Sequence, residues 1–395
     1  MKKKLKKLKS LMTPFEKFFA WEAASGLVLL ACAVLALLLA NSPLADAYTH
    51  LLHLPLGIGS GALRLEMSLT HWVNDGLMTL FFFAIGLEIK REFLYGELRT
   101  KAAMLLPVCA ALGGMLVPAL LYSLINLGAP TAGGWGIPMA TDIAFALGIL
   151  SLAASDAPLG LVVFLTALAI VDDLGAIIVI ALFYSSDVSL AALGAGLLAI
   201  LGAAALSRAG CKRLPLYGAL GLAAWGAFLA SGIHPTIAGV LLGLTIPAAA
   251  SPETSLLHKL EEHIEPWSAY LIMPIFALAN AGVSLAGAAL DPTSPLFLGI
   301  VCGLVIGKPL GIYGSVRLVT RLSGAPLPGS ATPSATLAAG TLGGIGFTMS
   351  IFIANLAFPD EATLAAAKLS ILSASILAGL LGALLFRLAG RNAAS

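Results

Sequence analysis

Three aspartates carry the chemistry in this chain. Asp142, Asp172 and Asp173 fall within GGWGIPMATDIAFALGIL, a short break at SLAASDAPLG, and LVVFLTALAIVDD, a stretch that runs from Gly133 to Asp173. The two apolar segments are each long enough to cross a bilayer. A charge at the centre of a membrane helix costs about 2.5–3.5 kcal/mol on insertion scales, so three ionised, unpaired carboxylates would cost about 8–10 kcal/mol. Such residues read by default as an ion or proton site with partners elsewhere in the chain. Carboxylate, hydroxyl and backbone carbonyl oxygens are hard ligands that suit a small alkali cation. No His/Cys cluster has the character of a transition-metal site, and the scattered Cys32, Cys109, Cys211 and Cys302 read as small apolar residues.

Asp172 and Asp173 are adjacent, so on a helix they point about 100° apart. One can face an ion path while the other meets a cation, and Lys308 in LVIGKPLGI is the buried cation available. Burial and neighbouring charge tune a carboxylate until it exchanges protons at physiological pH. The same oxygens then hold a proton or a cation but not both. Mutual exclusion at one site that faces each side in turn amounts to exchange, and it couples to voltage when unequal charge moves, at roughly 2.3 kcal/mol per charge per 100 mV.

The elements that position these groups must be membrane spans. Of the 395 residues, 59% are hydrophobic and 11% charged, against about 25% charged in a soluble domain. Apolar runs bounded by charges or Gly/Pro clusters predict twelve helices in one integral membrane domain, 1–395. They lie near 20–41, 69–94, between Ala102 and the GlyAlaPro turn, then near 133–151, 159–184, 189–208, 214–229, 232–249, 262–284, 297–319, 335–358 and 365–388. The insert 42–67 holds LPLGIGSGALRLEM, whose Gly-rich turn and alternation predict a small extracytoplasmic β-hairpin. The basic opening, 1–19, reads as a cytoplasmic anchor against anionic lipid, not as a nucleic-acid tail or a cleaved signal. With both termini inside, 19 of the 22 Lys and Arg fall on the cytoplasmic side, leaving Arg64, Lys308 and Lys368.

Two spans are not clean helices. The fourth carries Gly133, Gly134, Gly136 and Pro138 before Thr141 and Asp142; the eleventh carries Gly340, Gly343, Gly344 and Gly346. Irregular backbone at membrane depth is tolerated only where it lines a cavity or is buried in protein. Each break exposes a positive half-helix N-terminus, which Thr141 or Asp142 can cap, and a negative C-terminus, which suits Lys308. The units 103–184 and 297–388 share a layout: one helix, a broken helix, and a third with an ionisable residue. Seven spans apart, they would sit in opposite orientations, the inverted repeats of secondary transporters. The fold class predicted is thus an all-α polytopic membrane protein with two discontinuous, crossing helices.

Other charged groups cluster at the inner rim: Glu88, Lys90, Arg91 and Glu92, with Glu261, Glu262, His263 and Glu265. They suit a funnel or pH-responsive gate, and equally an ordinary solvated loop. His234, in SGIHPT, has the unperturbed range of a pH switch and is a candidate there, although a packed or interfacial histidine fits its place better. Asp75, in HWVNDG, reads as solvated or capping.

Several long motifs in order, ATDIAFALG, ALAIVDDLGAIIVIALFY, GLEIKRE, IGKPLGI, FALANAGVSL and GIGFTMSIFIA, make the chain resemble the NhaA family of bacterial sodium/proton antiporters from about Phe18 to the last helix. That family is itself a standing example of inverted repeats, so the layout above belongs to the resemblance. The resemblance implies electrogenic export of Na⁺ and Li⁺ in exchange for H⁺ across the bacterial inner membrane, activated by alkaline pH, with no cofactor. It implies that Asp172 and Asp173 bind ion and proton, that Thr141 and Asp142 sit where the broken helices cross, and that Lys308 balances charge and pairs with Asp172. Glu88, Arg91, Glu92 and Glu261 would form a cytoplasmic pH-response cluster, and the 42–67 hairpin a homodimer contact. The chain departs from the family at Glu262 and Glu265, where histidines are usual, and in its long Lys-rich start. An intramembrane aspartyl protease using Asp142 and Asp172 is the rival from another class, but the Gly-x-Gly-Asp context is missing and a central lysine has no role there. A cation channel is the other rival, and an embedded lysine between broken helices fits it less well than an alternating site.

Overall fold

A computed structural model describes residues 14–58, 65–153, 158–185, 187–249, 251, 254–285, 291–324 and 326–394. The first thirteen residues of the basic opening, and the tip of the predicted hairpin with Arg64, lie outside the described residues. The chain is an all-α membrane protein with, among the described residues, one two-stranded hairpin. Among the described residues, seven helices are long and apolar enough to cross a membrane, or ten if each of three bent pairs counts as one span.

In order, α1 (Pro14–Ala40) turns by 115° into α2 (Ala45–Leu52). Then β1 (Pro55–Ile58) pairs antiparallel with β2 (Leu65–Ser68), Pro55 opposite Ser68 and Ile58 opposite Leu65. The hairpin lies where the alternation predicts it; α2, within the same insert, has no such signal. Next come α3 (Leu69–Leu94) and α4 (Lys101–Ile125), the latter N-capped by Thr100, whose hydroxyl accepts from Ala103 N–H at 3.3 Å. The predicted fourth span is a tight 3₁₀ segment, Pro130–Met139, bent by 51° from α5 (Ile143–Ala153). Two prolines and three glycines in ten residues remove the donors and side-chain packing that an α-helix needs, so its first half winds more tightly.

After α6 (Leu159–Phe183), α7 (Leu190–Arg208) and α8 (Leu214–Ser231), the expected eighth span is only ten residues, α9 (Thr236–Thr245). Gly232 at φ +80° stops α8, and Pro235 and Pro247 bracket α9. A continuous helical run then comprises the charged α10 (Leu256–Trp267), a wide π-turn at Ser268–Ile272, and α11 (Met273–Asn280). The last unit is α12 (Pro295–Ser323), α13 (Pro333–Leu342) bent by 44° from α14 (Phe347–Ala357), and α15 (Glu361–Ala394).

Burial separates a centre from a rim. The most apolar stretch of α6 is 61% buried and that of α7 only 17%, so α6 is packed in protein while α7 presents Leu197, Leu198 and Leu201 outward. At the centre, α4 and α12 cross at Gly113 and Gly311, where a Cβ on either would strike the other's carbonyl oxygen. This close approach, the device by which small residues join membrane helices, brings Lys308 one turn away against the site.

Gly311→Ala is expected to cost about 1–3 kcal/mol of stability by overpacking that crossing, seen as a lower thermal unfolding midpoint in detergent. Gly314→Ala, on the same helix with nothing within 4 Å, should leave the midpoint unchanged or raised. Equal effects of the two would mean that the helices do not meet there.

Candidate functional site

The two broken helices meet at their breaks, and their backbones bond to one another. Asp142 N–H donates to Ile345 O at 2.7 Å, the Thr141 hydroxyl to Gly343 O at 2.9 Å, and the Ser350 hydroxyl to Ile137 O at 2.7 Å. At Gly344 a side chain would collide with the carbonyl of Leu304 in α12, so the glycine run both breaks the helix and seats it. Pro138 packs against Gly303 of α12, inside a π-turn (Gly303–Gly307) that immediately precedes Lys308. Gly346 is the N-cap position of α14.

Asp142 lies between two positive half-helix ends. One carboxylate oxygen accepts Phe145 N–H at 3.1 Å, in the first turn of α5. The other accepts the Thr348 hydroxyl at 2.5 Å and its N–H at 3.2 Å, in the first turn of α14. Asp142 therefore caps both helices at once, and its charge offsets both dipoles. The opposite compensation falls to Lys308, which is fully buried. Its ammonium donates to Met139 O, the negative end of the 3₁₀ segment, and to Asp172 Oδ2 at 2.7 Å.

Asp172 and Asp173 diverge as helical geometry requires. Asp172, 1% exposed, faces Lys308; Asp173, 7% exposed, lines a cavity of about 200 Å³ together with Thr141 and Asp142. Oδ1 of each is buried with no hydrogen-bond partner. These two oxygens, with the Thr141 and Asp142 oxygens nearby, are where a proton or a small hard cation can bind.

The same cavity is lined at its other end by Glu88, Arg91, Glu261 and Glu265. Arg91 pairs with Glu92 at 2.9 Å, Glu261 at 3.1 Å and Glu88 at 3.7 Å. Desolvation, partly offset by Arg91 and reinforced by Glu265 and Glu92, pushes the Glu261 carboxyl up to about 7. Glu261 stands in the charged turns of α10, outside the apolar spans. These charged groups are therefore a connected cluster, not a set of separate solvated side chains.

His234 does not join it. Its ring is packed edge-on to Phe352, hydrogen-bonded to Thr236 at 2.8 Å, and 3.4 Å from Asp75. That contact also corrects the reading of Asp75, whose side chain is 15% exposed and shielded by the imidazole. Sequence reasoning missed Thr348 and the Met139 carbonyl as partners. Nor did it single out His258, which approaches Glu262 at 3.5 Å and Glu261 at 3.9 Å. This imidazole stands one turn before Glu262 and two turns before Glu265.

Comparison with known proteins matches residues 16–386 to the family described as Na⁺/H⁺ antiporter 1. The chain is 49% identical over 396 residues to Na(+)/H(+) antiporter NhaA 1 of Clostridium beijerinckii, covering 98% of each protein. It is 48% identical to the NhaA antiporter of Caulobacter vibrioides, over 94% of this chain and 89% of that one. To that of Citrobacter koseri it is 49% identical, over 94% and 97%.

Lys308→Ala should lower thermal stability by about 3–5 kcal/mol, because it strands a buried carboxylate. Adding Asp172→Asn should recover part of that loss, since no unpaired charge remains. Strictly additive unfolding midpoints for the two substitutions would contradict the pairing.

Proposed function

Because the chain belongs to the NhaA family of Na⁺/H⁺ antiporters, transporters and not enzymes, we propose that it exchanges cytoplasmic Na⁺ or Li⁺ for external H⁺ by alternating access, without a cofactor. One observation carries the assignment to particular residues. Of two neighbouring buried carboxylates, one is held by the buried Lys308 and the other faces a cavity, and Oδ1 of each is buried without a hydrogen bond. Na⁺ and H⁺ compete for those oxygens. Entry of Na⁺ favours loss of protons from Asp173, and from Asp172 when Lys308 gives way; protonation from the opposite side expels Na⁺. The half-helix ends and Asp142 stay fixed and compensate charge while the mobile ions change.

The wider reading agrees with the sequence. Twelve spans with both termini in the cytoplasm accommodate the ten counted spans, the short apolar α9, and α11 with the π-turn that precedes it. The units 103–184 and 297–388 each comprise a helix, a bent pair and a further helix, as inverted repeats would. In this orientation the cavity opens towards the cytoplasm through the Glu88–Arg91–Glu261 rim, and the hairpin lies outside. β1 is exposed along its whole length, which suits a homodimer contact there in the bacterial inner membrane.

The rim suits control by pH. Glu261 holds a proton in the folded protein that a free glutamate releases near 4.5. It therefore stabilises the present conformation at low pH, and that contribution is lost as pH rises towards about 7. Above this, several carboxylates share the Arg91 guanidinium and the cluster loosens, consistent with activation on the alkaline side.

In everted vesicles an imposed Na⁺ gradient should drive H⁺ in the opposite direction, read by dequenching of a ΔpH dye. Asp172→Asn and Asp173→Asn should reduce the signal to that of vesicles lacking the protein; normal exchange by both would remove them from the site. Glu261→Gln should flatten the rise in activity across neutral pH while exchange itself persists. A pH profile identical to that of the unsubstituted protein would exclude Glu261 from the control.

A further inference from the structure

On the far side of the site from the cavity mouth, three asparagines from three elements close on one another. Asn280, 1% exposed at the end of α11, donates to Asn74 Oδ1 at 2.8 Å and accepts from Asn74 Nδ2 at 3.3 Å. It also accepts from Asn355 Nδ2 of α14 at 2.8 Å. One turn nearer the site, the buried Phe352 ring sits among Phe82, Phe276 and His234, with centroid separations of 5.4, 6.1 and 5.1 Å. Phe352 and Asn355 lie three residues apart on α14, and Phe276 and Asn280 four apart on α11, so each pair shares one helix face. The result is a phenyl layer backed by an amide layer.

Three helices independently give the same order of layers. Along α3 come Asn74, Phe82 and then Glu88; along α10 and α11 come Glu261, Glu265, Phe276 and Asn280; along α14 come Thr348, Phe352 and Asn355. At the helical rise, Asn74 stands about 20 Å from Glu88 along α3, and Asn355 about 10 Å beyond Thr348, the residue that touches Asp142. The sequence across the protein is therefore acidic rim, cavity, ion site, phenyl layer, amide layer.

We propose that the Phe352–Asn355 face of α14, seated on Phe82, Phe276, Asn74 and Asn280, is the gate that seals the site on the side away from the cavity. Asn280 is its positioning residue, and the Asn280–Asn355 hydrogen bond sets how readily the gate opens. The partners differ in kind. Asn355 and Phe352 ride on the broken helix whose Thr348 bonds Asp142, within 297–388, whereas Asn74, Phe82, Phe276 and Asn280 lie outside both three-helix units. Any motion that exposes the ion site to the second side has to part α14 from α3 and α11 along this seam. Amides suit such a seam chemically. Separated, they trade their bonds for water at only a modest net cost, enough to bias the gate without locking it, and being uncharged they hold neither Na⁺ nor H⁺ on the way through. The inference rests on the alternating-access reading above.

Two measurements test it. In everted and right-side-out vesicles, Asn355→Ala should raise the KM for Na⁺ on the cavity side and lower it on the opposite side. Each change should be roughly two- to tenfold, as expected when one hydrogen bond stops favouring one of two states. A merely structural lesion would leave the ratio of the two KM values unchanged, and that result would overturn the proposal. In a background with Cys32, Cys109, Cys211 and Cys302 replaced by alanine, Asn280→Cys and Asn355→Cys are bridged with a short bifunctional methanethiosulfonate. Exchange should stop on bridging and return with dithiothreitol; undiminished exchange by the bridged protein would also overturn it. If the double cysteine variant does not fold, the KM ratio decides alone. Absence of Na⁺/H⁺ exchange by the unsubstituted chain is a separate outcome, one that would overturn the transport reading itself.

Discussion

A charge enclosed by hydrocarbon must be met by an opposite charge or dipole, and the centre of this protein is arranged around that constraint. Ions and helix ends are set against each other in a small volume: Asp142 against the N-terminal turns of α5 and α14, and Lys308 against the end of the 3₁₀ segment and Asp172. Helix ends contribute typically 0.3–1 kcal/mol each, and up to about 2 kcal/mol when partly buried. No single contact therefore offsets the desolvation of a carboxylate, and several are needed together. The half-helix ends have a further property that side-chain ions lack. They cannot be protonated, displaced or carried away, so their contribution stays constant whatever the protonation state of the carboxylates beside them.

Much of the packing derives from this constraint. A broken helix leaves backbone donors and acceptors open, and these are satisfied by the other broken helix: Asp142 N–H by Ile345 O, Gly343 O by Thr141, Ile137 O by Ser350. The two breaks thus complete each other's hydrogen bonding, and neither would be tolerable at membrane depth alone. Bringing them into register requires α12 to lie close to α4, hence Gly113 against Gly311, and close to the second break, hence Gly344 against Leu304. Helices with no part in this, α7 above all, are left at the rim with apolar side chains facing outward.

How much of this is legible in the sequence depends on whether the signal is local. Hydropathy and loop charge are local, and so the long spans, the hairpin and both breaks can be read. The intramembrane aspartates and Lys308 are legible because their burial is costly wherever they sit. Threonines are different. Thr348 bonds Asp142 across the interface, yet Thr166 and Thr341 bond carbonyls one turn back in their own helices, and nothing in an apolar run distinguishes the two cases. The same holds for pairs made by tertiary packing: His234 with Asp75, or Asn280 with Asn74, lie far apart in sequence and share no motif. The 3₁₀ winding of Pro130–Met139 and the shortness of α9 are hidden for another reason. Composition marks a weak helix former, but which alternative winding wins depends on the neighbours that supply its hydrogen bonds, such as Tyr184 and Ser350.

The buried Lys308 also bears on what coupling exchange to voltage would require. Lys308 neutralises one of two adjacent carboxylates, so the pair Asp172–Asp173 with Lys308 carries one formal negative charge when no proton or alkali ion is bound. A Na⁺ ion brings that group to neutrality without breaking the Asp172–Lys308 bond. One proton on Asp173 does the same, and an exchange confined to Asp173 would move no net charge. Electrogenic exchange therefore requires a second proton site, and the structure offers two ways to provide it: Asp172 is protonated once Lys308 has withdrawn, or Lys308 itself gives up its proton when Na⁺ enters. Both remove the ion pairing at the same 2.7 Å contact. Because that ammonium is also bonded to Met139 O at the end of the first half-helix, releasing it unbalances the dipole at the break. An exchange that moved net charge would therefore loosen the crossing of the two breaks in the same event.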